Sequence, residues 1–254
     1  MKIFKSKLEL KKEILNIRNL SFVPTMGGLH KGHISLIKRS KKYQTKTLVS
    51  IFVNPKQFNN KKEFFSYPRN LQKDLILLKR LKVDIVFIPS FKDIFSFKTR
   101  KKIFLSKDSQ KLCGKKRKGH FEGVLNIVNR YLEIVQPKFI FLGNKDFQQL
   151  HLITLHIFKR KINTKVISCK TIRENNGVPS STRNEKLSYK QLQIASIVYK
   201  YLKNKKKFIK KELKAFKFNQ FKKDLINIGV TKIDYIKLYN LKTFKKPKYK
   251  KENF

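Results

Sequence analysis

The chain has 254 residues, 40% of them hydrophobic, and 62 lysines and arginines against 16 aspartates and glutamates, for a formal net charge of +46. That length allows a sizeable core and one or two domains. No apolar run approaches the ~20 residues that a membrane helix needs, and the lysine-broken start MKIFKSKLELKKEIL does not read as a signal peptide. Two cysteines, Cys113 and Cys169, are too few for a disulfide framework and too widely spaced for a zinc ribbon. A cytoplasmic protein with reduced thiols is expected, with Cys169 as core packing.

The charge has two readings. A dense positive field attracts polyphosphate and so suggests nucleic acid. Against this, Lys, Asn, Ile and Phe are abundant together, Trp is absent and Gly is scarce, as an A/T-rich genome writes at tolerant surface positions. The lysines are spread along the chain and gather in no single arm or aromatic-interleaved motif. Drift is the favoured reading, with anionic substrates and non-specific RNA sticking as its consequences.

In chain order, residues 20–25 (LSFVPT) form a short buried strand and 32–42 an amphipathic helix. Residues 46–55 make a second strand stopped by Pro55. Residues 68–81 read as a helix with Pro68 near its first turn, where the missing N–H is harmless. Residues 82–89 are a third strand, ended by Pro89. A helix at 121–134, a strand at 137–143, a helix at 146–159 and a last strand at 163–169 follow. This alternation predicts a doubly wound parallel sheet covered on both faces, over 1–172. Beyond it, lysine-rich helices at 187–202 and 210–228 and a lone strand at 232–241 predict a smaller α+β lid domain over 173–241. Residues 242–254 read as a basic, frayed tail.

In such sheets ligands sit beyond the carboxyl ends of the strands. At one such end stands FVPTMGGLHKGHISLIKRS (22–40). Gly27 and Gly28 leave room for a nucleotide to approach the backbone. His30 and His33, at a helix start that favours anions, are placed to stabilise charge developing on a phosphate. Losing one such donor typically costs ~3 kcal/mol. A metal pair or two surface histidines are the competing readings, and no nearby carboxylate or cysteine completes a ligand set. At the next strand end, Asn54 and Gln57 are neutral amides suited to hydroxyls and carboxylates, or simply turn formers. Arg117 and His120 precede a helix in KRKGHFEGV. Gly143, Lys145, Asp146 and Gln149 follow a strand in LGNKDFQQL, where Asp146 is also a candidate helix cap. Ser181, Thr182 and Arg183 suit a mobile phosphate clamp.

Taken in order, PTMGGLHKGH, SIFVNPKQF, YPRNLQKD, GHFEGV, GNKDFQQL and the Arg–Asn of SSTRN resemble the pantothenate synthetase (pantoate–β-alanine ligase) family of the H-x-G-H nucleotidyltransferases. The likeness runs from about residue 20 to 190 and more loosely to 241. It implies a Rossmann-like fold, a homodimer, and a two-step reaction in which ATP activates pantoate as an adenylate before β-alanine displaces AMP. By the same resemblance, Met26, Gly27, Gly28, Leu29, His30, Lys31, Gly32 and His33 line the ATP site. His33 would be the proton donor and His30 a phosphate partner. Gly143, Asn144, Lys145 and Asp146 hold the nucleotide with Lys145 on phosphate, and Ile172 meets the adenine side. Ser180, Ser181, Thr182 and Arg183 close over the phosphates. Gln57 and Gln149 hold pantoate, Gln57 also facing β-alanine, with Asn54, Arg117 and His120 as further substrate-side residues. Mg²⁺ is expected on the phosphate oxygens, and no metal ligands on the protein. The chain departs from the family at Asn144 for Glu, Asn176 for Asp, Thr182 for Ser, and at Pro179, Ser180 and Lys118. It also ends where family members continue the small domain's sheet, so the lid is expected to be reduced. Two rivals remain at this stage. One is a relative with another acceptor, such as a nucleotide adenylyltransferase. The other is a decayed homologue acting as a basic RNA-binding or scaffold protein.

Overall fold

The structure, a computed structural model, describes residues 1–212 and 217–248. It divides into two compact units, one of residues 1–172 with 180–182 and one of 173–179 with 183–254.

The first unit is built on six parallel strands: β1 (Lys2–Phe4), β2 (Leu20–Thr25), β3 (Lys46–Ile51), β4 (Ile85–Phe87), β5 (Phe139–Gly143) and β6 (Lys165–Cys169). Their order across the sheet is β1-β4-β3-β2-β5-β6. Chain progression therefore reverses between β2 and β5, which pair in register at Ser21 with Phe139 and Phe22 with Ile140. A crevice outside the strand ends at such a reversal is where open α/β sheets bind ligands.

Alternate side chains feed two cores, as the period of a strand requires. Phe22, Leu48, Ile85, Phe87, Ile140 and Leu142 face one side, against α1 (Lys7–Ile14), α5 (Phe91–Phe95), α7 (His120–Val135) and α8 (Phe147–Lys159). Val23, Val49, Val86 and Phe141 face the other, against α2 (Lys31–Ser40) and α4 (Leu71–Arg80). Two short helices, α3 (Lys61–Phe65) and α6 (Cys113–Lys116), lie in the connections. Cys169 packs in the second core, and burial raises its thiol pKa. The doubly wound sheet is as expected. Strand β1 and helix α1 are additions to it, because a three-residue edge strand is too short to show a period. Pro68 also lies outside its helix, two residues before the Asn70 cap of α4.

The second unit contains α9 (Tyr189–Lys211) and α10 (Phe218–Asn227), joined around Ile209 and Phe221 with Tyr201, Ile236 and Leu238 packed on them. Two expectations change here. Residues 232–241 form no strand: Ile236 and Leu238 are used for packing, and no second extended segment among the described residues offers a ladder. The unit's described β structure is the single bridge Arg173–Pro179, so it is helical rather than α+β. Residues 242–248 are not frayed either. The Asn240 side chain accepts from the Lys242 and Thr243 amides, and the turn buries Phe244 to 1% exposure. Residues 213–216, within the helix expected at 210–228, and 249–254 of the expected tail lie outside the described residues.

His156, fully buried on α8, accepts from the Phe104 amide through Nδ1 and donates from Nε2 to Asn129 Oδ1. Burial, then the Arg160 charge, lowers its pKa from 6.5 to about 4. The unfolded chain thus binds a proton that the folded chain resists. This contribution to stability is complete above about pH 6.5 and is lost as the pH falls toward 4. Thermal unfolding followed by circular dichroism is expected to show that loss, and His156→Gln, though less stable at neutral pH, is expected to show a shallower slope across the same window.

Candidate functional site

The two strands that flank the reversal deliver the two segments expected to meet a nucleotide. After β2 the chain runs through Met26, Gly27 and Gly28 into α2; after β5 it runs from Gly143 through Asn144, Lys145 and Asp146 into α8.

Gly27 and Gly28 both take left-handed backbone angles, φ +76° and +61°, a region that side-chain-bearing residues enter only at a cost. A Cβ on Gly28 would fall 2.4 Å from the Thr182 methyl and 3.3 Å from the Pro68 carbonyl oxygen. The side of Gly28 where a side chain would stand is therefore occupied by the chain itself. What holds the turn is Asp74, 3% exposed on α4. Its carboxylate accepts from the Gly28 amide and the Leu29 amide, each at 2.8 Å. The place of YPRNLQKD in the motif order does not disclose this role. A signal is present all the same: Asp74 lies four residues before Leu78 and beside Leu75, putting a carboxylate on the buried stripe of an amphipathic helix.

The turn ends in a reciprocal cap. His30 is the N-cap of α2; its Nδ1 accepts from the Gly32 amide at 3.0 Å, and its own amide donates to His33 Nδ1 at 3.3 Å. Gly32 is required by closeness, since a Cβ there would sit 2.6 Å from His30 Cε1. The imidazoles lie with centroids 4.1 Å apart. Burial first, then the charges of His30 and Lys145, lower the His33 pKa from 6.5 to about 3. His33 is thus a neutral ring near neutral pH. Because its Nδ1 accepts from the His30 amide, its proton is on Nε2. Lys145 is exposed and pairs with Asp146 at 3.3 Å. Asp146 occupies the N-cap of α8 without a side-chain cap bond. Asn144 accepts from Ser168 Oγ at 2.6 Å.

After β3, Gln57 donates to Met26 Sδ at 2.9 Å, which brings the β2 and β3 ends together. Asn54 is 1% exposed, accepts from the Lys56 amide, and donates to Gly123 O and Gln57 Oε1, so that it braces Gln57. His120 is also buried: Nδ1 donates to Gln57 O at 2.6 Å, and Nε2 accepts from Arg117, whose Nη2 reaches Glu63 at 3.6 Å. Arg117 and His120 thus tie the Gln57 loop to α7, a role that residue type alone does not reveal. Gln149, in the first turn of α8, is half-buried and spends its amide on no hydrogen bond to the described residues. Its neighbour Gln148 is fully used, bonding Asp108 O, Lys111 O and the Cys113 amide.

The Ser180 amide donates to Ile172 O at 2.9 Å, and Ser180 and Thr182 are buried in the first unit. Arg183 and Lys31 are exposed, and Arg183 belongs to the second unit. Gln57 is thus tied to Met26, His30 to His33, and Lys145 lies within electrostatic reach of His33, with Asp74 holding the turn that runs from Met26 to His30. Among the described residues no group of three or more His, Cys, Asp or Glu is placed to hold a metal ion. Replacing Asp74 with Asn sets an NH₂ against one of the two amides, leaving a buried donor unmatched. Asp74→Asn is expected to lose about 1–3 kcal/mol of stability, read from denaturant unfolding.

The family model described as pantoate-beta-alanine ligase matches residues 2–254. A pantothenate synthetase of Francisella tularensis subsp. novicida is 42% identical over 194 residues, which is 76% of this chain and 74% of that one. Its counterpart in Francisella philomiragia is 44% identical over the same shares. The crystal structure of the Francisella tularensis ligase, complexed with a β,γ ATP compound and β-alanine, superposes with TM-score 0.83 at 36% identity, covering 94% of this chain and 90% of that one. A pantothenate synthetase from Thermus thermophilus superposes with TM-score 0.87 at 28% identity, covering 96% and 89%. With its whole described length matched and its H-x-G-H turn at the reversal of a doubly wound sheet, this chain belongs to the pantoate–β-alanine ligase family.

Proposed function

We propose that the chain joins pantoate to β-alanine in two steps at the ends of β2, β3 and β5. The observation that carries this reading is the meeting of strand ends at the sheet's reversal, β2 leading to His33 and β5 to Lys145, with Gln57 after β3 bonded to Met26, in a chain of this family. A carboxylate of pantoate attacks the α-phosphorus of ATP, and the bond to pyrophosphate breaks, leaving a pantoyl adenylate. The amine of β-alanine then attacks the acyl carbon, the bond to AMP breaks, and the amine proton is lost to water. Activation is needed because a carboxylate offers no adequate leaving group, whereas AMP leaves readily.

His33 would donate from Nε2 to a phosphate oxygen, and the negative triphosphate would push its depressed pKa upward. Lys145 would meet the same charge. The backbone at Met26 to Gly32 and at Gly143 to Asp146 would flank the nucleotide, with Ile172 on its adenine side. Gln57, held by Asn54, His120 and Arg117, and the uncommitted amide of Gln149 would orient pantoate's hydroxyls and carboxylate. The co-complex of the Francisella ligase supports ATP and β-alanine as ligands of this site. Mg²⁺ would enter on the nucleotide's phosphate oxygens, as that ion usually does. The family resemblance also supports a cytoplasmic homodimer. No helix among the described residues is long and apolar enough to cross a membrane.

Protein supplied with ATP, Mg²⁺, pantoate and β-alanine is expected to form AMP, and omission of pantoate to abolish it; AMP formation indifferent to pantoate would overturn the reading. His33→Ala is expected to lower the rate roughly 10²–10³-fold while keeping the fold. Imidazole NMR is expected to show a His33 ring that does not titrate between pH 5 and 8 without ligand and shifts upward with an ATP analogue; a free-histidine titration would remove the neutral-donor role.

A further inference from the structure

A cavity lies in the first unit, at the opposite end of the strands from the site just described. Gln136, Asn163 and Thr164 on its wall precede β5 and β6, which places it about one strand length, ~13 Å, from the Gly143 end. Its volume is about 480 Å³. Lys11, Lys98, Arg100, Lys101 and Lys161 line it, with Glu133 as its carboxylate.

The wall is pinned by the protein's own bonds. Glu133 accepts from the Arg100 and Lys101 amides at 3.0 and 3.2 Å, Asn129 donates to Lys101 O at 2.7 Å, and Lys101 Nζ donates to Lys161 O at 2.9 Å. Asn129, Leu132 and Thr164 form a buried floor. The side chains of Lys11, Lys98, Arg100 and Lys161, in contrast, make no ion pair or hydrogen bond with the described residues. The carboxyl ends of α7 and α8 also reach the cavity and add about half a negative charge each. Set against the cations and Glu133, that leaves about +3 in one concavity. Lysines scattered by drift make a convex positive surface; they do not by themselves build a floored cavity with an ordered rim.

We propose that this cavity is a second, non-catalytic binding site for a small anion bearing a di- or triphosphate group. Lys98, Arg100, Lys11 and Lys161 face the charge, and the apolar wall of Phe97, Leu132 and Ile162 is open to an organic moiety. The inference is independent of the reaction proposed above, since none of these residues belongs to that site.

The test titrates the full ¹⁵N-labelled chain with inorganic tripolyphosphate at about 0.15 M salt, where weak surface attraction is screened. Amide signals of residues 98–101 and 161–164 are expected to shift saturably with one-to-one stoichiometry, separately from those near Gly28 and Lys145. The double variant Lys98→Ala/Arg100→Ala is expected to weaken that first set by at least about tenfold, with AMP formation unchanged. The equally discharged control Lys42→Ala/Lys46→Ala is expected to leave it intact. A nucleoside triphosphate that binds there more tightly than tripolyphosphate assigns the apolar wall to a ring; equal binding assigns the site to the phosphates alone. Non-saturating shifts over the lysine surface, equal losses in both variants, or preferential shifts with an RNA oligonucleotide would overturn the proposal.

Discussion

A buried carboxylate with two amide donors sets the geometry on which the rest of the site depends. Asp74 collects the Gly28 and Leu29 amides, so the turn leaving β2 is fixed before α2 begins. A carboxylate taken out of water must be matched by donors, and here the donors are the backbone of a left-handed glycine turn. The turn therefore stabilises the charge and the charge stabilises the turn. The His30 cap starts from the end of that turn, and the position of the His33 ring follows from the cap.

Much of this arrangement is legible in the residues. The alternation of apolar strands with amphipathic helices discloses a doubly wound sheet, because residues such as Phe22 and Val23 must face opposite cores. The order of motifs at strand ends points to the family. What stays hidden depends on tertiary contacts between side chains distant in sequence. Nothing near Asn54 announces that Gly123, far along the chain, takes its amide. His120 looks like a ligand until the Gln57 carbonyl is seen against it. The strand expected at 232–241 fails for a related reason: alternation is a property of one segment, whereas a ladder needs two.

The electrostatics divide along similar lines. Most cations of this chain are exposed and act as a diffuse field, which salt screens. Three of the acids carry specific structural tasks. Asp74 holds a turn and Glu133 holds the Arg100–Lys101 backbone. Burial works to raise the Asp108 carboxyl, but hydrogen bonds from Lys111 and His151 outweigh it and keep that group below the ordinary range. In a chain with so large an excess of base, these three acids are used for shape more than for neutralisation.

The reciprocal cap of His30 and His33 has a consequence for how such a chain can change. The nitrogens that close the first turn of α2 belong to the same two rings for which the phosphate contacts are proposed. Under the proposed reaction, a replacement there would loosen a helix end and remove a phosphate contact in one stroke, even where the rest of the fold survives. Exposed positions drift freely because they carry neither duty. At this tetrapeptide capping falls to Nδ1 of His33 and the proposed phosphate contact to Nε2 of the same ring, so no replacement can alter one duty without the other.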